Sequence, residues 1–276
     1  MSTTMLDGRT IAFEDTGTGS PAILVVHGFG GTRHHFDAEV AALRTAHRVV
    51  AIDRSGHGES DPDPDGYAIG RVAAELHELC IDLGLDRVLV VSHSFDKPSI
   101  ELAARHPELV SGLVILDGPT VPSPEFTTAS QAFADGFGGT EWRAAIRTFA
   151  DQWVFPAGLP EADRQAVVAM VAGTGREVLA ATWQAFIEHD ATPAIRALAC
   201  PVLYVAGTFP CDLDVLRTMI ADLEIVEIRG RGHMLTMSAA DEVSALIANF
   251  ATRLTNRAAH ASVAGRKINR RAGSSR

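Results

Sequence analysis

Short continuous apolar runs alternate with longer stretches of helical period along most of this chain. The runs are 22–26 (AILVV), 49–52 (VVAI), 88–91 (VLVV), 113–116 (LVIL), 202–206 (VLYVA) and 225–228 (IVEI). Four or five apolar residues bounded by turn signals predict strands covered on both faces. Residues 9–14 alternate polar and apolar instead, as a half-buried strand does, and Gly17-Thr18-Gly19 makes a turn. Helix-period stretches fill 37–44, 70–83, 96–105 and 239–254. Strand and helix in repetition predict βαβ units around a mostly parallel sheet.

The rhythm breaks between 118 and 199. This segment has no convincing strand, yet it holds all three tryptophans, Trp142, Trp153 and Trp183, with Phe126, Phe133, Phe137, Phe149, Phe155 and Phe186. It opens on Pro119, Pro122 and Pro124, and Pro193 and Pro201 lie near its end. The pattern predicts a helical insertion between two strands, serving as a lid over a site. The aromatics pack such an insertion together, and several are candidates to line a pocket. From 255 onward small and basic residues take over, and the stretch 255–276 reads as a disordered tail.

Composition narrows the class. With 46% apolar and 21% charged residues over 276 positions, the chain is neither disordered nor fibrous. Net charge is −10, and it is uneven: seven of the 24 basic residues fall in 251–276, where no acidic one occurs. The remaining 17 face all 34 acidic residues in the first 250. An acidic body disfavours nucleic acid and anionic membrane as partners, and the aromatic lid points to a small-molecule substrate. Three cysteines, Cys80, Cys200 and Cys211, form neither a disulfide framework nor a zinc pattern. The first residues show no signal peptide, and no apolar run approaches the roughly 20 residues that span a bilayer. The expected location is the cytoplasm.

Three loops carry candidate chemistry. His27-Gly28-Phe29-Gly30-Gly31 follows the strand at 22–26, and a glycine-rich turn there lets backbone N–H groups approach a ligand. Ser92-His93-Ser94-Phe95-Asp96-Lys97-Pro98 joins a buried strand to a helix. A serine on such a turn is pushed out above the sheet, and the next residue's N–H can serve an oxyanion. Pro98 suits the first turn of a helix, and Asp96 suits its positive end. His233, in Arg229-Gly230-Arg231-Gly232-His233, completes the chain order serine, aspartate, histidine.

Taken with DRSGHGES at 53–60 and HPELVSGLVILDG at 106–118, these motifs resemble the α/β-hydrolase family over roughly residues 8–254. The resemblance implies a mostly parallel eight-stranded sheet flanked by helices, with a helical cap inserted after the sixth strand. The core is then 1–117 with 200–254, and the cap is 118–199. It implies Ser94 as nucleophile, His233 as general base, and the Phe29 and Phe95 amides as oxyanion hole. Gly28, Phe36, His93, Trp142, Trp153 and Trp183 are expected to contact substrate. In many relatives the acid lies three residues past the glycine ending strand seven, which is Pro210 here, with Asp212 and Asp214 just beyond. Other relatives take the acid from the end of strand six, where Asp117 stands. Asp117 is favoured over Asp212. The 53–60 loop is mainly structural in the family.

One departure bears on activity. The family elbow is G-x-S-x-G, and Asp96 stands where a small residue is usual. A carboxylate there must distort the elbow or point into the site, with Lys97 as a candidate partner. The reading is a serine hydrolase of a small to medium apolar ester or lactone, without cofactor or metal; His34-His35 has no supporting carboxylate or cysteine pattern. The rivals are a ligand-binding or impaired relative, which Asp96-Lys97 motivates, and a cofactor-independent dioxygenase of a heteroaromatic substrate, which shares the Ser-His-Ser elbow.

Overall fold

A computed structural model describes residues 2–155 and 160–272 of the chain. Its strands are β1 (Ser2–Leu6), β2 (Arg9–Thr16), β3 (Ile23–Val26), β4 (Val49–Ile52), β5 (Val88–His93), β6 (Val110–Leu116), β7 (Val202–Ala206) and β8 (Leu223–Glu227). They form one sheet in the order β1-β2-β4-β3-β5-β6-β7-β8. β2 pairs antiparallel with β1 and β4, and every other pairing is parallel. The helices are α1 (Asp37–Leu43), α2 (Ile69–Asp82), α3 (Lys97–Arg105), α4 (Pro124–Gly136), α5 (Trp142–Phe149), α6 (Glu161–Gly173), α7 (Arg176–Glu188), α8 (Thr192–Ala197), α9 (Leu213–Met219), α10 (Leu235–Ser238) and α11 (Ala240–Ala272).

The unbroken apolar runs are explained by burial on both faces. Leu24 and Val26 of β3 point to one side, where Leu76 and Leu79 of α2 and Ile100 and Leu102 of α3 cover them. Ile23 and Val25 point to the other, against Val40 and Leu43 of α1 and Val243, Ile247 and Phe250 of α11. Only β1 escaped the sequence pattern. STTML is polar and mostly exposed, and the strand adds to the sheet edge through its backbone pairing with β2.

The helices α4–α7 lie between β6 and β7 and build a separate aromatic cluster from Phe126, Phe133, Phe137, Trp142 and Trp183. The next helix behaves differently. Ala194 and Ile195 of α8 pack into the layer containing α3, so the last part of 118–199 belongs with the sheet. Helix α11 continues to Ala272, so 255–272, the described part of the expected tail, carries on the helix that begins at Ala240. Alanine, arginine and lysine there have high helix propensity and extend a helix already nucleated upstream. Residues 273–276 of the expected tail lie outside the described residues. Among those described, no helix is long and apolar enough to cross a membrane.

The loop after β4 braces the site from beneath. Asp53, fully buried, accepts the Arg33 amide at 2.6 Å and the Glu59 amide at 3.1 Å, and its carboxylate also holds the Arg33 guanidinium. Ser60 donates to Asp53 O at 2.5 Å and accepts the Ala12 amide at 2.9 Å. Removing Asp53 leaves the buried Arg33 guanidinium with only the exposed Glu59 carboxylate as ion-pair partner and frees the amides that Asp53 accepts. Asp53→Ala is therefore expected to lower unfolding free energy by about 3–5 kcal/mol, measured by urea denaturation.

Candidate active site

Ser94 sits between β5 and α3 with φ +63°, a left-handed conformation that a non-glycine residue adopts only when its surroundings enforce it. The turn is held from inside. The Ser94 amide donates to Leu116 O at 3.0 Å, and the Phe95 amide donates to His93 O at 2.7 Å. Gly28, at the end of β3, lets the first loop come close. A Cβ there would lie 3.0 Å from both His93 O and Ser94 Cβ.

Asp117 follows β6 and also adopts a left-handed φ, +50°, which aspartate tolerates better than most residues. Its buried carboxylate accepts four hydrogen bonds. The amides of Gly207, Thr208 and Phe209 donate at 2.6, 3.0 and 3.0 Å, and His233 Nδ1–H donates at 2.9 Å. That bond places the second imidazole nitrogen, Nε2, as the one free to accept a proton. The Phe209 ring stacks on the His233 ring at 3.9 Å, and His93 Nε2–H donates to His233 O at 2.9 Å. Burial, then the nearby His233, pushes the pKa of His93 well below the ordinary histidine value, so it stays neutral.

Ser94 and His233 line one cavity with Gly28, Phe29, His93 and Trp183. Its volume is about 60 Å³, and most of its remaining wall is apolar, including Phe133, Phe149, Val171 and Phe209. Three expected contact residues are elsewhere. Phe36 is fully buried among Val40 and Leu43 beneath the sheet. Trp142 packs on Phe137 under the Arg143 guanidinium, and Trp153 meets the edge of Phe126. Both tryptophans build the insertion rather than face the cavity. Phe133 and Phe149, two of the insertion's aromatics, do line the cavity, and so do Phe209 and His35, which the sequence did not single out as site residues. Helical spacing of Phe126, Phe133 and Phe137 is the signal that could have located the inner face of α4.

Asp212, the alternative acid, is turned to another task. It caps α9, accepting the Val215 amide at 2.9 Å, while Asp214 pairs with Arg217 at the surface. Of the two adjacent histidines, His34 is exposed beside Asp37 and His35 faces the cavity against the Met170 sulfur. Among the described residues, no group of three side chains could hold a metal ion.

Residues 23–246 match the model of the alpha/beta hydrolase family. The chain belongs to the alpha/beta hydrolase family. It is 27% identical over 241 residues to a protein of Klebsiella pneumoniae subsp. pneumoniae named "Putative carbamate hydrolase RutD", covering 83% of this chain and 90% of that one. An esterase from Thermogutta terrifontis is 26% identical with a TM-score of 0.77, over 91% of this chain and 97% of the esterase. The enol-lactonase of Burkholderia xenovorans LB400 shares the fold at 23% identity and TM-score 0.77, covering 91% of this chain and all (100%) of that one.

Within this hydrolase, the unusual elbow residues neither distort the turn nor enter the cavity. Asp96 is fully buried and points toward the start of the segment after β6, where the Thr120 hydroxyl donates to its Oδ2. Gly118 leaves the room it occupies, since a Cβ there would lie 2.5 Å from Asp96 Oδ2. Lys97 makes no ion pair with it. Its Nζ donates to Phe186 O at 2.5 Å and His189 O at 2.6 Å, satisfying carbonyls at the C-terminal end of α7.

Burial raises the pKa of Asp96 from 3.8 to about 6, against the opposing hydrogen bond from Thr120 and the charge of Lys97. The folded state thus holds a proton that the unfolded chain releases earlier. The resulting stability is full below the unfolded pKa and is lost as pH rises through the folded one. Asp96→Asn is expected to gain stability over wild type between pH 4 and 7, by on the order of 3 kcal/mol at the upper end. Thermal unfolding at pH 4, 5.5 and 7 measures that widening difference.

Proposed function

We propose that this hydrolase is a cofactor-free serine hydrolase that cleaves a small, apolar carboxylic ester or lactone through an acyl-enzyme on Ser94. The observation that carries the reading is one cavity whose wall holds both a serine on a strained turn and a histidine bonded to a buried carboxylate. His233 Nε2 takes the Ser94 proton as Oγ attacks the acyl carbonyl, and Asp117 stabilises the imidazolium that forms. The tetrahedral oxyanion is held by the Phe29 amide and by the Phe95 amide, which turns from His93 O, its partner at 2.7 Å in the resting site, to reach it. Collapse expels the alcohol, which receives the proton from His233. Water activated by the same histidine then releases the acid.

Helices α4–α7 act as the cap in this reading, and Trp183, Phe133 and Phe149 supply the apolar wall for the acyl group. The largely apolar wall favours an apolar acyl chain over a charged or polar one. The relative named for carbamate hydrolysis points to a second substrate to assay, since a carbamate presents the same kind of carbonyl to Ser94.

Ser94→Ala is expected to cut p-nitrophenyl acetate turnover by about 10⁴-fold or more with an unchanged circular dichroism spectrum. Asp117→Asn should lower kcat by about 10²–10⁴-fold, whereas Asp212→Asn should leave it within about two-fold. Full turnover by the Ser94 variant would overturn the assignment, and a larger loss at Asp212 than at Asp117 would reverse the choice of acid.

A further inference from the structure

Arg54 is a buried cation without a carboxylate partner. It is 2% exposed, and the acidic groups of its neighbourhood are engaged by other arginines. Asp63 and Glu75 lie 2.9 and 3.0 Å from Arg9, while Asp53 and Glu59 bind Arg33. Burial lowers the pKa of Arg54 to about 10, with Glu75 acting in the other direction, so the guanidinium is charged at neutral pH. An isolated buried charge is expensive, and its contacts show what it faces.

Those contacts converge on the proposed oxyanion hole. Arg54 Nη2 donates to Gly28 O at 3.0 Å, and the guanidinium carbon lies 4.4 Å from the centre of the Phe95 ring. The backbone amide of Arg54 donates to His27 Nε2 at 3.1 Å, and His27 Nδ1–H donates to the same Gly28 O at 2.8 Å. In a trans peptide the carbonyl and the following N–H point in opposite directions. Drawing Gly28 O toward Arg54 therefore turns the Phe29 N–H away from it, on the side where Gly28 and Phe29 line the cavity. The Phe29 N–H has no partner among the described residues.

We propose that Arg54 is a positioning residue for the oxyanion hole: it orients the Gly28–Phe29 peptide and the Phe95 turn and provides fixed positive charge behind the developing oxyanion. This rests on the reading of Ser94 as nucleophile with the Phe29 and Phe95 amides as donors. A preorganised charge of this kind acts on the transition state, where negative charge appears, and little on the neutral bound ester.

The test compares Arg54→Met and Arg54→Lys with wild type in p-nitrophenyl acetate hydrolysis and in inhibition by phenylboronic acid and benzamide. Phenylboronic acid mimics the transition state: Ser94 Oγ bonds to boron, its proton passes to His233, and the tetrahedral boron becomes negative. Benzamide is a neutral, planar competitor. Arg54→Met is expected to lower kcat about 100-fold with KM within about three-fold, and to weaken phenylboronic acid by a similar factor while sparing benzamide. Arg54→Lys, which keeps the charge, should recover at least about ten-fold.

A change carried by KM alone, or equal weakening of both inhibitors, would overturn the proposal. If Arg54→Met does not fold, Arg54→Gln takes its place, and failure of both to fold assigns Arg54 to stability and also overturns it. Ser94→Ala is run in parallel. Unchanged turnover and unchanged phenylboronic acid binding in that variant would locate the failure in the nucleophile reading, and the Arg54 proposal falls with it.

Discussion

The carboxylate of Asp117 is the point on which the site depends. It is fully buried and gathers three consecutive amides after β7 and the imidazole of His233. Three segments far apart in the chain are thereby tied together: the end of β6, the loop after β7 and the loop after β8. Four donors offset the cost of burying an anion, and one of them is the imidazole of His233, whose ring orientation is fixed by that bond. The left-handed backbone of Asp117 belongs to the same arrangement, because it turns the carboxylate off the strand end toward those donors.

A second polar layer lies beneath. The loop after β4 contributes Asp53 and Arg54, and both reach the loop after β3. Asp53 holds the Arg33 amide and side chain, and Arg54 holds Gly28 O. The loop regarded as structural is therefore also what aims the glycine-rich turn. Asp53, Glu59 and Asp63 of this loop, with Glu75 of α2, pair with Arg9 and Arg33 but not with Arg54, whose guanidinium lies over the Phe95 ring.

The elbow shows how a family pattern can be broken without loss of the turn. Asp96 fits because its neighbour across the gap is Gly118 and because Thr120 supplies a donor. Lys97 serves a different element altogether, fastening the end of α7 to α3, with His189 Nε2 and Glu101 adding a link at 2.8 Å. Since α7 carries Trp183, which lines the cavity, the residue that looked like a partner for Asp96 in fact fixes a wall of the pocket. Asp96 itself is turned away from the cavity, toward Thr120.

Periodicity alone determined much of this protein. Runs such as AILVV and VLVV identify central strands because a strand buried on both faces admits no polar residue. The serine turn, the glycine-rich turn and the final histidine were legible because each needs particular residue types at a strand end. The edge strand β1 was not legible, because its backbone pairing needs no apolar side chains. The sequence favoured Asp117 over Asp212 by its place at the end of a strand, but which carboxylate meets His233 depends on where two loops come together in space. The same holds for the tryptophans: composition placed all three in the insertion, but only packing decided that Trp183 turns inward while Trp142 and Trp153 hold the helices together. Local sequence determines which elements form and which residues have the right chemistry. The directions of buried side chains and the pairing of buried charges depend on neighbours distant in the chain, and only the tertiary structure supplies them.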